Sequence, residues 1–95
     1  MKESTNIIFR THAIQRMFQR SISESDVRSI LMKGETIEGY ADDTPYPSRL
    51  ILGWIGQRPI HVVAADNMMD NEIIIITVYE PDKEKWSDNF KRRTI

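Results

Sequence analysis

The sequence predicts an α+β domain: two N-terminal helices packed on a three- to four-stranded antiparallel sheet, followed by a short C-terminal helix. Two observations lead to this fold. Apolar residues in the first third of the chain recur at helical spacing, whereas the segment 49–80 holds β-prone runs separated by turn residues. Helices that precede strands, and do not alternate with them, favour packing on one face of a sheet. A chain of 95 residues can form a single domain, 1–95, with one modest core.

The segment THAIQRMFQR predicts the first helix, with Thr11 as its N-cap and its end near Arg20. Ser23 and Asp26 have the spacing of a capping box, which predicts that a second helix begins there. Gly34 is a natural helix stop. Four residues predict the apolar side of the first helix: Ala13, Ile14, Met17 and Phe18.

The strands are predicted in ETIEGY, RLILGWI, RPIHVVAAD and EIIIITVYE. Gly56 fits the first position of a two-residue type II′ turn between the second and third of these. The isoleucine run 73–76 is apolar in both directions, which predicts a central strand. Trp86 and Phe90, spaced i, i+4 in PDKEKWSDNFKRR, predict the short C-terminal helix.

Composition excludes several classes of protein. The chain has no cysteine, which excludes disulfides, thiol catalysis and cysteine-ligated zinc. There is no apolar run of membrane-spanning length and no signal-peptide core in MKESTNIIFR, so we expect a cytoplasmic protein with no membrane partner. The net charge of −1 argues mildly against a general nucleic-acid coat, although residues 10–33 are locally basic.

Polar residues at regular spacing are the candidates for chemistry. His12, Arg16 and Arg20 share one helix face at i, i+4 and i+8. Strand alternation puts residues 73, 75, 77 and 79 on one face, so Thr77 and Tyr79 point the same way. Sequential antiparallel pairing would bring Arg49, His61 and Thr77 or Tyr79 together if the registers agree, and a slip of one residue would turn His61 away.

Convergence of these side chains would suit RNA cleavage without a metal ion. Of His12 and His61, one would act as the base and the other as the acid, because imidazoles titrate near neutral pH. Arg16 and Arg49 would bind the scissile phosphate, since guanidinium groups match phosphate oxygens. Tyr79 would assist them. The residues that remain, Thr77 as a second assistant and Arg20 as a more distant backbone contact, complete the candidate set.

Other functions find less support in the residues. Two histidines without cysteine make a poor metal site, and no phosphate-binding glycine loop, nucleophile elbow or cofactor motif is present, so we expect no metal and no cofactor. The same side chains also have structural explanations: His61 as a satisfied sheet histidine, and Arg16 and Arg20 as solvated surface. The chief alternative is therefore a non-enzymatic protein-binding module, which could pair or homodimerise through a sheet edge. A small-ligand regulator is a third alternative.

Several motifs occur together in a fixed order: THAIQRMFQRSISESDV, G-x-x-I-E-x-Y, PYPSRLILGW, RPIHVVAA and ITVYEPDKEKW…FKRR. Over residues 9–93 they resemble a small bacterial domain-of-unknown-function family. That family is similar in predicted fold to the RelE/BrnT-like toxins of the barnase–EndoU–colicin–RelE group, and its genes often neighbour YgiT-type zinc-finger antitoxin genes.

The resemblance implies a toxin-like endoribonuclease that acts on RNA and is held in check by a cognate antitoxin protein. By position, the family's helix motif matches His12, Arg16 and Arg20. Its strand motifs match Arg49, His61, Thr77 and Tyr79. Ribosome-bound RelE-type toxins are usually markedly basic, and this chain is not, so dependence on the ribosome stays open.

Overall fold

A computed structural model of the chain describes residues 5–94; residues 1–4 and 95, the ends of the predicted domain, lie outside the described part. Its helices are α1 (Thr11–Gln19) and α2 (Glu24–Lys33). Its strands are β1 (Asn6–Phe9), β2 (Glu35–Tyr40), β3 (Ser48–Ile55), β4 (Arg58–Asn67), β5 (Glu72–Tyr79), β6 (Trp86–Ser87) and β7 (Arg92–Arg93). The predicted α+β class and both N-terminal helices are confirmed. Neither helix is long and apolar enough to cross a membrane.

The main sheet has five strands in the order β1-β5-β4-β3-β2. Every pairing is antiparallel except that of β1, which runs parallel to β5 with Asn6 opposite Glu72. The sequence predicted three or four strands, all antiparallel. That prediction is wrong, because the sheet has β1 as an additional, parallel edge strand. Asn6–Phe9 is short and its partner lies more than sixty residues later, so no local pattern marks it. The predicted central position of the isoleucine strand is confirmed, because β5 lies between β1 and β4.

Local signals set the ends of α2. Ser23 and Asp26 form the predicted capping box, in which each side chain bonds the other's backbone N–H. Gly34 ends the helix as predicted, and a Cβ atom there would lie 2.5 Å from the Ile30 carbonyl oxygen. The predicted cap of α1 is wrong: Thr11 is its first helical residue, and Arg10 precedes it without a side-chain cap.

Both helices cover the same face of the sheet, which we call the inner face. Ala13 and Met17 of α1 and Val27 and Ile30 of α2 are buried there. The sheet contributes alternating buried residues to this core: Ile51, Ile60, Val62, Ala64, Ile75 and Val78. The predicted apolar side of α1 is only half right, because Ile14 and Phe18, the other two residues predicted for it, are 50% and 87% exposed.

A β-bulge in β5 changes which side chains share a face. Val63 pairs with Thr77 and Ala64 with Ile75, so Ile76 has no partner in β4. Alternation therefore restarts at the bulge. Ile75 turns to the inner face, while Thr77 and Tyr79 turn to the opposite, outer face. The prediction that residue 75 shares a face with 77 and 79 is wrong for this reason.

The predicted C-terminal helix is also wrong. The segment after β5 forms a small hairpin of β6 and β7, with Trp86 opposite Arg93. Three of the four residues between the strands, Asp88, Asn89 and Phe90, have φ values of 52°, 59° and 71°. A right-handed helix cannot contain such a run, because φ is negative throughout it. The hairpin instead packs its Trp86 ring against the outer face of the sheet.

Candidate functional site

The predicted site residues lie in three separate places. His12 and Arg16 are exposed on α1, which covers the inner face, and Arg20 is exposed at the C-cap of that helix. His61 belongs to the outer face, since it is the cross-strand partner of Leu52 and Tyr79 and alternates with inner residues. The sheet itself therefore separates the polar residues of the first helix from His61. The predicted convergence of the two groups is wrong, because both helices cover the face opposite to the histidine.

Arg49 lies at the edge of the inner face and already has a carboxylate partner. Its guanidinium donates from Nε to Asp66 Oδ2 at 2.9 Å and from a terminal nitrogen to Asp66 Oδ1 at 3.2 Å. Both side chains are partly buried. Arg49 thus pairs across β3 and β4, on the other side of the sheet from Tyr79.

His61 and Tyr79 do meet, as predicted for registers that agree, whereas the prediction that Arg49 would join them is wrong. His61 is fully buried, with Nδ1 3.2 Å from the Tyr79 hydroxyl and Nε2 2.9 Å from the Phe90 carbonyl oxygen. A carbonyl can only accept, so Nε2 carries the proton and Nδ1 accepts from the tyrosine. Burial lowers the pKa of His61, although the Phe90 carbonyl partly opposes that shift. The imidazole is therefore neutral and fixed in one tautomer.

A carboxylate, a phenol and a guanidinium lie together on the neighbouring part of the outer face. Glu38 and Tyr40 are two residues apart on β2, and the Tyr40 hydroxyl donates to Glu38 Oε1. Arg93 Nε approaches Glu38 Oε2 at 3.4 Å. Burial and the bond to Glu38 raise the pKa of Tyr40, which stays protonated at neutral pH. Tyr40 and Glu38 together raise the pKa of Arg93.

The C-terminal hairpin joins these groups to His61. The Trp86 ring meets the imidazole edge-on with centroids 4.4 Å apart, and the Arg93 guanidinium lies 4.8 Å from the centre of that indole ring. Burial raises the pKa of Tyr79, and the charges of Arg93 and Glu38 are near enough to affect it as well. We call this set the outer-face cluster; its members are Glu38, Tyr40, His61, Tyr79, Trp86 and Arg93.

The outer-face cluster has the groups needed for proton transfer and anion binding. Glu38 is a proton acceptor, the two tyrosines are neutral donors, and Arg93 is a largely exposed cation. An anion that reaches Arg93 would compete with Glu38 for the guanidinium. Among residues 5–94, no group of three or more histidine, aspartate or glutamate side chains is placed to hold a metal ion.

Sequence reasoning missed Glu38, Tyr40 and Arg93, although a signal for two of them was present. The spacing E-x-Y in a predicted strand puts both side chains on one face. Arg93 lies in the segment PDKEKWSDNFKRR, for which a C-terminal helix was predicted. Only the reversal of the chain at residues 88–90 carries it back to β2.

Comparison with known proteins gives one family. Residues 9–80 match the domain of unknown function DUF4258, which leaves the C-terminal hairpin beyond the matched region. Neither the curated proteins nor the solved structures gave a match. Since the matched region covers most of the chain, the protein belongs to the DUF4258 family.

Proposed function

We propose that this domain is a toxin-like, metal-independent endoribonuclease whose active site is the outer-face cluster. The observation that carries the proposal is the contact of Glu38 with both Tyr40 and Arg93 on one sheet face. A carboxylate base, a phenolic acid and a guanidinium are sufficient for cleavage of a ribose phosphodiester without a metal. The proposal moves the site away from the α1 stripe, and His12, Arg16 and Arg20 have no catalytic role in it.

The chemistry follows from the contacts around Glu38. A phosphodiester that binds Arg93 draws the guanidinium away and frees the carboxylate. Glu38 then takes the proton of the ribose 2′-hydroxyl, and that oxygen attacks the adjacent phosphorus. Tyr40 protonates the departing 5′-oxygen, and the proton on Glu38 passes back to Tyr40 along their hydrogen bond. The products are a 2′,3′-cyclic phosphate and a free 5′-hydroxyl.

His61 has a different role here from the one expected. Its two nitrogens are occupied by Tyr79 and the Phe90 carbonyl, and its ring is fully buried. It therefore acts as a positioning residue, which holds the Tyr79 hydroxyl at the edge of the site. Tyr79 stays protonated and can donate to a phosphate oxygen.

Two further features support the toxin-like part of the proposal. The motifs resemble those of a family similar in predicted fold to RelE/BrnT-like toxins, and the fold has two helices on one face of a mostly antiparallel sheet. The near-neutral net charge favours free RNA as the substrate over RNA in the ribosome. A cognate antitoxin would inhibit the enzyme by covering the outer face.

The test is cleavage of a single-stranded RNA by the purified protein, with an all-DNA strand of the same sequence beside it. Glu38→Gln keeps the shape of the side chain and removes the base, so we expect a loss of about 10²–10⁴ in rate. Glu24→Gln, an exposed carboxylate of α2, is the matched control and should cleave normally. Cleavage of RNA alone, ending in a cyclic phosphate, supports the mechanism.

Equal rates for Glu38→Gln and wild type would refute the assignment of the site. Intact RNA with the wild-type protein, with and without ribosomes, would refute the activity itself. In that case a second candidate function is supported by two exposed apolar side chains of α1, Ile14 and Phe18: the domain would be a protein-binding module that uses this pair. That function would be identified if the Phe18→Ala variant no longer bound a partner protein that the Glu38→Gln variant still bound.

A further inference from the structure

A surface cavity of about 430 Å³ lies beside the outer-face cluster, at the end of the sheet where β2 begins. Its volume falls within the range of about 300–1,000 Å³ that is typical of small-ligand sites. Three parts of the chain form it: the C-terminal end of α2, the end of strand β3 that extends past β2, and the tip of the C-terminal hairpin. The side chains that matter for recognition are Ser29, Lys33, Trp54, Asn89 and Lys91.

The chemistry of this cavity is that of a nucleotide site. Trp54 is an exposed aromatic ring, 44% accessible, and the Phe90 ring holds it in an edge contact at 6.0 Å. A fixed, exposed indole is a stacking surface for a base. Lys33 and Lys91 line the cavity with positive charge, although Lys91 pairs with Glu35, which also lines it. The hydroxyl of Ser29 and the amide of Asn89 offer hydrogen bonds to a base edge.

The cavity and the outer-face cluster lie on one continuous surface. Trp54 alternates with Leu52 and Leu50 on the outer side of β3, and Leu50 is the cross-strand partner of Glu38. Leu50 and Trp54 are four residues apart along β3, which corresponds to about 13 Å. Lys91, two residues from Arg93, lies between them and pairs with Glu35 at 3.2 Å. A short single strand can therefore reach from Arg93 to Trp54.

We propose that this cavity is a subsite for one nucleotide of a single-stranded RNA, with its base stacked on Trp54 and its phosphate held by Lys33 and Lys91. The inference rests on the proposed ribonuclease function and names how its substrate is bound. Stacking accepts any base, so the subsite contributes affinity for unpaired RNA more than sequence preference. Double-stranded RNA is excluded, because its bases are not free to stack on a protein ring.

The test uses a short fluorescent DNA oligonucleotide, which has no 2′-hydroxyl and cannot be cleaved, so that binding is measured apart from catalysis. Anisotropy titration of Trp54→Ala should give a Kd roughly tenfold weaker than wild type. Trp54→Phe should retain most of the affinity. Phe18→Ala is the matched control, since it removes an exposed ring from α1, and should bind like wild type. Lys33→Gln should lower the slope of log Kd against log salt concentration by about 0.7.

Wild-type affinity in Trp54→Ala, or no binding of the oligonucleotide to the wild-type protein, would overturn the subsite whatever the cleavage assay gives. An unchanged salt slope in Lys33→Gln would overturn the phosphate contact. Binding that depends on Trp54 in a protein that leaves RNA intact supports the subsite and refutes the proposed catalysis. The two proposals therefore fail separately.

Discussion

The burial of His61 predicts that the protein loses stability in acid and that this single residue causes the loss. Burial lowers the pKa of this imidazole in the folded protein below its ordinary value of 6.5. Between that lowered pKa and pH 6.5, the unfolded chain therefore binds more protons at this position than the folded chain, by at most one. The free energy of unfolding then decreases as the pH falls towards the lowered pKa, by at most about 1.4 kcal/mol per pH unit. Above pH 6.5 this contribution is constant.

Denaturant unfolding at a series of pH values between 5 and 8 measures this slope. His61→Gln can still donate to the Phe90 carbonyl and accept from Tyr79, but it does not titrate. We expect the variant to lose about 1–3 kcal/mol at pH 8, because its hydrogen bonds fit less well, and to lose the extra slope below pH 6.5. His12→Gln removes the exposed histidine of α1 and should keep the wild-type slope. A slope that persists in His61→Gln would refute the buried, neutral imidazole.

Two further predictions concern stability. Gly34→Ala should destabilise the fold by about 1–3 kcal/mol, because the new Cβ meets backbone oxygens at 2.5 and 2.7 Å, whereas Gly39→Ala has open space and should change the unfolding midpoint little. Arg49→Ala should lower the free energy of unfolding by about 1 kcal/mol and leave RNA cleavage unchanged, because Arg49 pairs with Asp66 on the inner side of the sheet. A double-mutant cycle with Asp66→Asn measures the energy of the pair. A large fall in the cleavage rate would return Arg49 to the active site.

The parts of the fold that depend on neighbouring residues were predictable. The capping box at Ser23 and Asp26, the helix end at Gly34 and the positive φ of Gly56 each follow from a few adjacent residues. The bulge at Ile76 was not predictable, because it is a property of the pairing between β4 and β5. The same holds for β1, whose four residues become a strand only against a distant partner.

The site divides in the same way. The order of the antiparallel strands predicted that His61 would meet Thr77 or Tyr79 if the registers agreed, and the register of β4 and β5 places it opposite Tyr79. The position of His12 relative to the sheet was not, because a helix pattern states which side is buried but not which sheet face it covers. The contact of Arg93 with Glu38 needed the left-handed reversal before β7, in a segment whose aromatic spacing favoured a helix.

The most direct test of this account is to map bound nucleic acid on the protein by NMR chemical-shift perturbation with an uncleavable oligonucleotide. The outer-face assignment predicts the largest shifts at the amides of Glu38, Tyr40 and Arg93, with His12 and Arg16 unaffected. Shifts concentrated on α1, or no shifts at saturating oligonucleotide, would contradict it.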